Sequence, residues 1–417
     1  MDNFISNDNK NRIQADILLN RAINDYENCK NSLFKRPQRV SFLEQILNER
    51  QIRKLSKQLL NEIDHYIDKN FKEMTSKETK EIKKIFTSYI LKLDERKLLF
   101  DKPFLKFFLD QGYLNAAEDF IECAKRKDGN LTAEEIFQAM RNVLIMNSLQ
   151  IFWGIPLSIT PSIYSYSMLY PYTDNFLDST EVDIKDKISF NEKLTAFLKG
   201  EKVSTVNFHE NRVRELVENI ESQYNRNTYP QVFQSIELIQ EAQVKSLKQD
   251  TIARMTSQDI LSISFFKGGS SVLADAFLVK GNLTKEESHF AFGYGAFLQL
   301  LDDLQDALTD KKDGHQTLFS MLNNSIDSDN IVNQLIYYIF YVNAPQEGDN
   351  QTMTFMKEVI KSCTLIMIME AIGNHPEMVS QNLYHKLESC SKVRLKFYKE
   401  FGLQMKTMIE RFDLRLE

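Results

Sequence analysis

The segment from Phe290 to Asp306, FAFGYGAFLQLLDDLQD, decides the fold class of this chain. Its first twelve residues carry no charge, and three aspartates follow at its end. The residues just before it, TKEE at 284–287, form a capping-box pattern that opens a helix. We therefore predict one long helix from about residue 285 to residue 310, buried over most of its length.

The rest of the sequence has the same helical character. The chain contains 13 glycines and 8 prolines, about 5% of its 417 residues, where about 12% is usual. Residues 41–70 and 77–93 are amphipathic with helical spacing, and TAEE at 132–135 is a second capping box. No segment shows the alternation of a strand followed by a hairpin signal. The sequence predicts an all-α fold.

The length of the chain predicts more than one core. A single core rarely serves 417 residues, so two helical subdomains are expected. The charged segment KRKDGN at 125–130 is the best candidate for a linker. We predict an N-terminal helical region at 1–130 and a second helical region at 131–417.

Composition excludes several classes of function. The formal net charge is −6, and the scattered Lys and Arg side chains form no basic stripe for nucleic acid. The nearest basic cluster is Lys35, Arg36 and Arg39, which we interpret as a solvated helix flank. The four cysteines share no close spacing, which argues against a zinc site or a disulfide framework. The first residues lack a signal-peptide pattern, so we expect a cytoplasmic protein.

One stretch raises the question of a membrane span. Residues 142–173 contain no charged side chain, a length that would cross a bilayer. The stretch also contains Gly154, Pro156, Pro161 and many hydroxyl groups, which interrupt its apolar runs. We expect no transmembrane segment here, but a buried pair of helices lining a cavity.

The acidic end of the long helix is the strongest chemical signal. Asp302 and Asp306 lie one turn apart on one helix face, with Asp303 beside them. Two carboxylates about 4 Å apart repel by about 4 kcal/mol at an effective dielectric constant of about 20. A hard cation such as Mg²⁺, which prefers oxygen ligands, relieves that repulsion. The alternative is an exposed acidic helix end facing Lys311 and Lys312.

Two further elements accompany these acids. Asp174 and Asp178 form a second pair at helical spacing, at the end of a helix that Thr160 and Pro161 should open. KGG at 267–269 offers a lysine ammonium next to backbone that an anion can approach closely. The alternative for KGG is a simple helix break. Two carboxylate pairs with a lysine between them are suited to a diphosphate bridged by Mg²⁺.

Together these elements resemble the class I isoprenoid-diphosphate superfamily, which contains trans-prenyltransferases and terpene synthases. DDLQD at 302–306 is similar to the second aspartate-rich motif of prenyltransferases, with Gly293, Gly295 and Gln299 before it. The following segment, DKKDGHQTL at 310–318, resembles the tail of that motif.

The resemblance extends to the other two elements and covers about residues 135 to 320. Lys267 with its glycines resembles the lysine-centred element upstream of the second motif, and Asp174 and Asp178 match the outer aspartates of the first motif. The resemblance implies a class I isoprenoid-synthase-like helical bundle, with residues 131–417 as its catalytic core.

Two departures from prenyltransferases shape the expected activity. Asn175 stands where prenyltransferases usually carry an aspartate, and no Gly-Gly-Lys-Arg element is present, since KRP at 35–37 lacks the glycines. Both favour a terpene synthase, most similar to an atypical bacterial branch acting on long prenyl chains. One observation argues against a terpene synthase: the second motif is not the Asn/Ser/Glu triad of ordinary terpene cyclases.

The expected reaction is Mg²⁺-dependent ionisation of an allylic prenyl diphosphate, giving a cyclic or linear terpene. The alternatives are a chain-elongating or condensing prenyl diphosphate synthase and a non-catalytic helical interaction protein. The chain length of the substrate, the product and the oligomeric state stay open, and a homodimer is one expectation.

The expected roles of the site residues follow from charge and from the need for a dry cavity. The predicted Mg²⁺ ligands are Asp174, Asp178, Asp302, Asp303 and Asp306. The predicted diphosphate ligands are Lys267 with Arg212 or Arg214, and His315 is a further candidate. Gln299 is predicted to contact substrate, and aromatic faces to stabilise the allylic cation. The aromatic candidates are Trp153, Tyr164, Tyr166, Tyr170, Phe265, Phe266, Phe292 and Phe297. Gly293 and Gly295 would leave room for a prenyl chain or permit close helix packing.

Overall fold

The computed structural model describes residues 13–29, 38–67, 76–179, 182–250, 254–322 and 324–413. Within these ranges the chain is helical and contains no strand, which confirms the predicted all-α class. The α-helices in chain order are α1 (Ala15–Asn28), α2 (Phe42–Ile67), α3 (Ser76–Glu95), α4 (Leu105–Asp110), α5 (Tyr113–Lys127), α6 (Ala133–Phe152), α7 (Pro161–Asp178), α8 (Ile184–Leu198), α9 (Phe208–Gln223), α10 (Pro230–Ser246), α11 (Ser257–Lys280), α12 (Lys285–Gln305), α13 (Ala307–Asp313), α14 (Ser325–Val342), α15 (Gln351–Asn374), α16 (Gln381–Glu388) and α17 (Leu395–Asp413).

The helices divide between two compact units, each built from separate parts of the chain. The first unit contains the described residues up to Cys29, then Tyr113–Met321 and Asp349–Met353. The second contains the described residues between Cys29 and Tyr113, together with Leu322–Gly348 and the chain from Thr354 onward. Helices α5 and α6, on either side of the expected linker at 125–130, both belong to the first unit.

Helix α11 is the centre of the first unit. It packs against α12, α10, α1, α6 and α7, and its side chains are buried on all sides. A helix that is apolar around its whole circumference needs such a position. Tyr26 of α1 meets Phe265 edge-on at 5.4 Å, which fixes α1 on α11.

Glycines bring α11 and α12 into direct backbone contact. A Cβ atom at Gly268 would lie 2.6 Å from Cβ of Gln299, and one at Gly295 would lie 2.6 Å from the carbonyl carbon of Gly268. Gly269 is covered by the ring of Phe292. The KGG segment is therefore a packing surface inside a continuous helix, and the alternative of a helix break there is wrong.

Several helix ends lie where the sequence placed them. Thr132 and Thr284 form complete capping boxes with Glu135 and Glu287. Helix α11 ends before Gly281, whose φ of +81° suits glycine. The helix predicted to reach residue 310 ends earlier, because α12 stops at Gln305 and α13 starts after Asp306.

The uncharged stretch at 142–173 forms the end of α6 and most of α7. The two helices pack against each other and are joined by a loop through residues 153–160. Most of their side chains in this stretch are buried. Among the residues described, no helix has the length and apolar character needed to cross a bilayer.

In the second unit, two ion pairs join α2 to α17 and to the residue just before it. Glu49 of α2 is fully buried and accepts hydrogen bonds from Nε of Arg394, at 2.8 Å, and from its backbone N–H, at 3.0 Å. One turn further along α2, Arg53 makes a two-point contact with Glu400, at 2.6 Å for each pair of atoms. A buried carboxylate with a bidentate arginine fixes one geometry of the helix pair.

Candidate functional site

Asp303 is the buried anchor of the site. Its carboxylate, 4% exposed, accepts a hydrogen bond from Oγ of Ser264 at 2.9 Å and one from Nε2 of Gln299 at 2.9 Å. Burial raises the pKa of Asp303 to about 6, the charge of Asp302 adds to the rise, and the two hydrogen bonds and Lys267 oppose it. The α11–α12 contact thus brings Lys267, Asp302 and Asp303 together.

Asp302 and Asp306 lie at the exposed end of α12, and Asp310 follows at the same spacing in α13. The pKa of Asp306 is raised by burial and by Asp302, and Arg141 of α6 opposes the rise. The pKa of Asp310 is also raised, first by burial and then by Asp306 and Asp302, while His315 and Thr317 oppose it. The charge of Asp302 therefore acts on both later acids, and Asp310 joins a cluster that the sequence motif limited to residues 302–306.

The first aspartate-rich element lies at the C-terminal end of α7. The backbone of α7 runs through residues 174–178, whereas the side chains of Asp174 and Asp178 lie outside the described part of the structure. Asn175 is exposed. The prediction that this pair binds metal stays a prediction.

The direction of α7 places that element at the same end of the first unit as Lys267. Two contacts give the direction of α6 relative to α12. Arg141, earlier in α6, lies near Asp306 at the end of α12, and Phe152, at the end of α6, stacks on Phe290 near the start of α12 with ring centroids 4.6 Å apart. Helix α6 therefore runs antiparallel to α12. Helix α7 returns antiparallel to α6, since Oγ of Ser167 lies 3.9 Å from Sδ of Met146. Therefore α7 runs antiparallel to α11.

The heights of Asp174 and Lys267 along the bundle can be counted in residues from one contact between α7 and α11. Oγ of Ser162 donates to the carbonyl of Leu278 at 2.8 Å. Asp174 is twelve residues beyond Ser162, about 18 Å of helix, and Lys267 is eleven residues before Leu278, about 16 Å. The backbone of the first element and Lys267 are thus level along the bundle.

The two candidate arginines have different surroundings on α9. Nη1 of Arg212 donates to Glu215 at 2.9 Å, and the hydroxyl groups of Tyr172 and Tyr164 lie near its guanidinium, although its buried Nε and Nη2 make no hydrogen bond of good geometry to the described residues. Burial lowers the pKa of Arg212, but Tyr172, Glu215 and Tyr164 outweigh it, so the net pKa is raised. Arg214 has a half-exposed side chain whose Nη2 donates to Asn211 at 2.6 Å. Arg212 is the better placed anion ligand, because Tyr172 is two residues before Asp174.

A buried hydrogen bond that the sequence did not reveal holds the part of α7 that precedes Asp174. The hydroxyl of Tyr172 donates to the carboxylate of Asp128, which follows α5 and is 8% exposed. Burial raises the pKa of Tyr172, and the hydrogen bond to Asp128 raises it further. Asp128 lies in the segment that sequence analysis assigned to a linker, and no local pattern pairs it with a tyrosine 44 residues away.

The candidate aromatic residues are distributed over several interfaces. Phe266 lies under Nζ of Lys245, 4.1 Å from its ring centroid, and so faces α10. Phe265 faces α1, and Phe297 packs on Tyr294 with ring centroids 5.1 Å apart. The remaining candidates lie at helix contacts of the first unit: Trp153 near Lys280, Tyr164 under Lys127, Tyr166 edge-on to Tyr170, and Phe292 over Gly269.

His315 makes a contact that sequence analysis did not foresee. Its Nδ1 lies 2.5 Å from Oδ1 of Asp250. Among the described residues, no three His, Cys, Asp or Glu side chains are arranged as a metal-binding group. Asp174 and Asp178 are outside that search, so it does not include the full predicted ligand set.

Asp275 is a functional candidate that sequence analysis missed. It is fully buried in α11, neither carboxylate oxygen has a hydrogen-bond partner among the described residues, and burial raises its pKa well above the usual value. Ser264, Lys267, Ser271 and Asp275 follow each other at three- and four-residue spacing, so they share one face of α11. Asp275 lies about 12 Å along that face from Lys267. Its signal was visible as the single charge between Lys267 and Lys280.

Replacing Asp275 by Asn should change how stability depends on pH. In the unfolded chain Asp275 loses its proton near the ordinary aspartate pKa of 3.8, whereas the folded chain retains the proton to higher pH, so wild-type stability falls as pH rises above that value. The variant lacks this loss, and its advantage over wild type should grow by up to about 1.4 kcal/mol per pH unit. Denaturant unfolding at several pH values from weakly acidic to neutral measures it.

The matched control is Asp119→Asn, at an exposed position on α5. That variant should follow the wild-type curve across the same pH range. A parallel pair of curves for Asp275→Asn and wild type would show that Asp275 is ionised in the folded chain.

The chain was compared with protein families, characterised proteins and solved structures, and none of them matches it. The residues and contacts of this site are therefore the basis for assigning a function.

Proposed function

We propose that this protein is a Mg²⁺-dependent class I terpene synthase that ionises an allylic prenyl diphosphate and releases inorganic diphosphate. One observation carries the proposal. The α11–α12 contact gathers Lys267, the buried Asp303 and the exposed Asp302 at one end of the first unit. The backbone of the first aspartate-rich element is level with Lys267.

The acids at this end have the right chemistry for a hard divalent cation. Asp302 raises the pKa of Asp306, and both Asp302 and Asp306 raise the pKa of Asp310, as expected of carboxylates whose negative charges are incompletely balanced. Asp302, Asp306 and the predicted ligands Asp174 and Asp178 would hold Mg²⁺. When bound, Mg²⁺ supplies Lewis-acid stabilisation of the departing diphosphate oxygens.

Asp303 has a positioning role in this proposal. Its two hydrogen bonds, from Ser264 and Gln299, occupy both carboxylate oxygens. Gln299 also reaches Oδ2 of Asp302 at 3.4 Å. Asp303 therefore orients Gln299 and the α12 end that carries Asp302, rather than facing solvent itself.

Lys267 and Arg212 would bind the diphosphate from the protein side. Lys267 supplies a point charge next to Asp303, and Arg212 has two buried nitrogen atoms, Nε and Nη2, that make no hydrogen bond of good geometry to the described residues. The uncharged interior of α11 and α12 excludes water from the allylic end of the substrate. Aromatic faces in the first unit would stabilise a cation there by about 2 kcal/mol.

Lys267→Ala should weaken the binding of inorganic diphosphate in the presence of Mg²⁺. A charge-assisted contact contributes about 1.5–3 kcal/mol, so the dissociation constant should rise about 10- to 100-fold in titration calorimetry. Lys280→Ala is the matched control, because Lys280 is the last residue of the same helix, about 20 Å along it from Lys267, and pairs with Glu287. Equal affinities for wild type and Lys267→Ala would remove Lys267 from the site.

A further inference from the structure

The first turns of α2 in the second unit expose a group of large apolar side chains. Phe42 is 66% exposed, Leu43 68% and Leu47 46%. Other exposed large apolar residues in the described chain occur singly or in pairs along the sequence. Three of them lie within six residues, in the first two turns of one helix.

The same face of α2 continues as a basic stripe. Leu43, Leu47, Arg50, Lys54 and Lys57 follow at four- and three-residue spacing, so they lie along one face over about 21 Å. No acidic residue shares that spacing between Leu43 and Lys57. We call these five residues, together with Phe42, the α2 face.

In the described part of the second unit, Phe42 of the α2 face lies under the guanidinium of Arg394, whose Cζ is 5.9 Å from the ring centroid, while the basic part of the face is exposed. Its three basic side chains are exposed, and the structure gives them no ion pair among the described residues. The opposite face of α2 supplies the core through Ile52, Leu55, Leu59 and Ile63, which are at most 4% exposed. Helix α2 therefore has a buried apolar face and an outer face. The outer face is apolar in its N-terminal part and basic in its C-terminal part.

We propose that the α2 face docks on an anionic lipid surface. Phe42, Leu43 and Leu47 would enter the boundary between headgroups and acyl chains, and Arg50, Lys54 and Lys57 would contact the anionic headgroups. The apolar end favours this partner over nucleic acid, since three exposed large apolar side chains contribute nothing to phosphate contacts. The proposal stands independently of the proposed enzymatic activity.

Flotation of the full chain with lipid vesicles tests this docking. Wild type should float with vesicles containing phosphatidylglycerol, much less with pure phosphatidylcholine, and less at high salt. A triple variant, Arg50→Gln with Lys54→Gln and Lys57→Gln, should bind anionic vesicles roughly 100-fold more weakly, from about a fivefold loss per basic residue. Leu43→Ser with Leu47→Ser should reduce binding to both kinds of vesicle.

A matched control separates the α2 face from net charge. Lys80→Gln with Lys84→Gln and Lys92→Gln removes the same charge from exposed positions of α3 and should keep wild-type binding. Circular dichroism verifies that each variant is folded. The proposal is overturned if wild type fails to float with anionic vesicles or if both triple variants lose binding equally. It is also overturned if an oligonucleotide binds the α2 face while vesicles do not, or if sedimentation shows that a second copy of the chain covers it.

Discussion

Asp302→Asn should lower turnover of an allylic prenyl diphosphate by about 100- to 1,000-fold while the protein stays folded, a size typical of losing one preorganised electrostatic contact in a transition state. Asp302 is exposed at the end of α12, so the substitution leaves the helix packing unchanged. It removes the charge that raises the proton affinity of Asp303, Asp306 and Asp310. The variant therefore loses a carboxylate ligand without losing a structural contact.

The measurement is the rate of diphosphate release at saturating Mg²⁺, with the melting temperature as the check on folding. Asp313→Asn provides the control, because Asp313 is exposed in the neighbouring α13 and has no role in the proposed site. It should retain wild-type turnover. If Asp302→Asn keeps wild-type turnover, the acidic end of α12 is a surface feature and not a metal site.

Gly295→Ala should destabilise the first unit by about 3 kcal/mol, against the trend of helix propensity. Alanine is favoured over glycine inside a helix by about 1 kcal/mol, so propensity alone predicts a gain. The new Cβ atom would lie 2.6 Å from the carbonyl carbon of Gly268 and 3.1 Å from Cα of Gly269, both backbone atoms that no side-chain rotation can move. Separating α11 from α12 also disturbs the hydrogen bond between Ser264 and Asp303, so packing should decide the sign.

Thermal and denaturant unfolding of the purified variant measure this effect. Gly129→Ala is the control, since a Cβ atom there would meet nothing within 4 Å, and it should leave stability nearly unchanged. A gain in stability for Gly295→Ala would mean that the two helices are not in backbone contact.

Local signals in the sequence were enough to predict the helices and many of their ends. The capping boxes at Thr132 and Thr284 are complete within four residues, so a single segment contains the whole signal. KGG at 267–269 was ambiguous because the segment alone does not contain the whole signal. A glycine pair has the same local pattern in a helix break and in a close helix contact, and only the position of Gly295 distinguishes them.

The division into two units depends on contacts that no local pattern reveals. Glu49 and Arg394 are 345 residues apart, and each alone is an ordinary charged residue, Glu49 within α2 and Arg394 just before α17. In the candidate site, too, contacts between residues distant in sequence could not be predicted. Asp302 and Asp306 were identified by spacing, while the pairing of Tyr172 with Asp128 required the folded chain. Asp275 was the exception, since a lone acid in an apolar helix is visible in the sequence.

The proposal that this protein is a terpene synthase is tested most directly by product analysis. Purified protein with Mg²⁺ is incubated with allylic diphosphates of increasing chain length, one at a time, with and without isopentenyl diphosphate. Released diphosphate and organic extracts are analysed by mass spectrometry. We expect a hydrocarbon or alcohol and free diphosphate from a single substrate, without isopentenyl diphosphate. A longer prenyl diphosphate formed only with isopentenyl diphosphate, or no turnover of any substrate, would contradict the account.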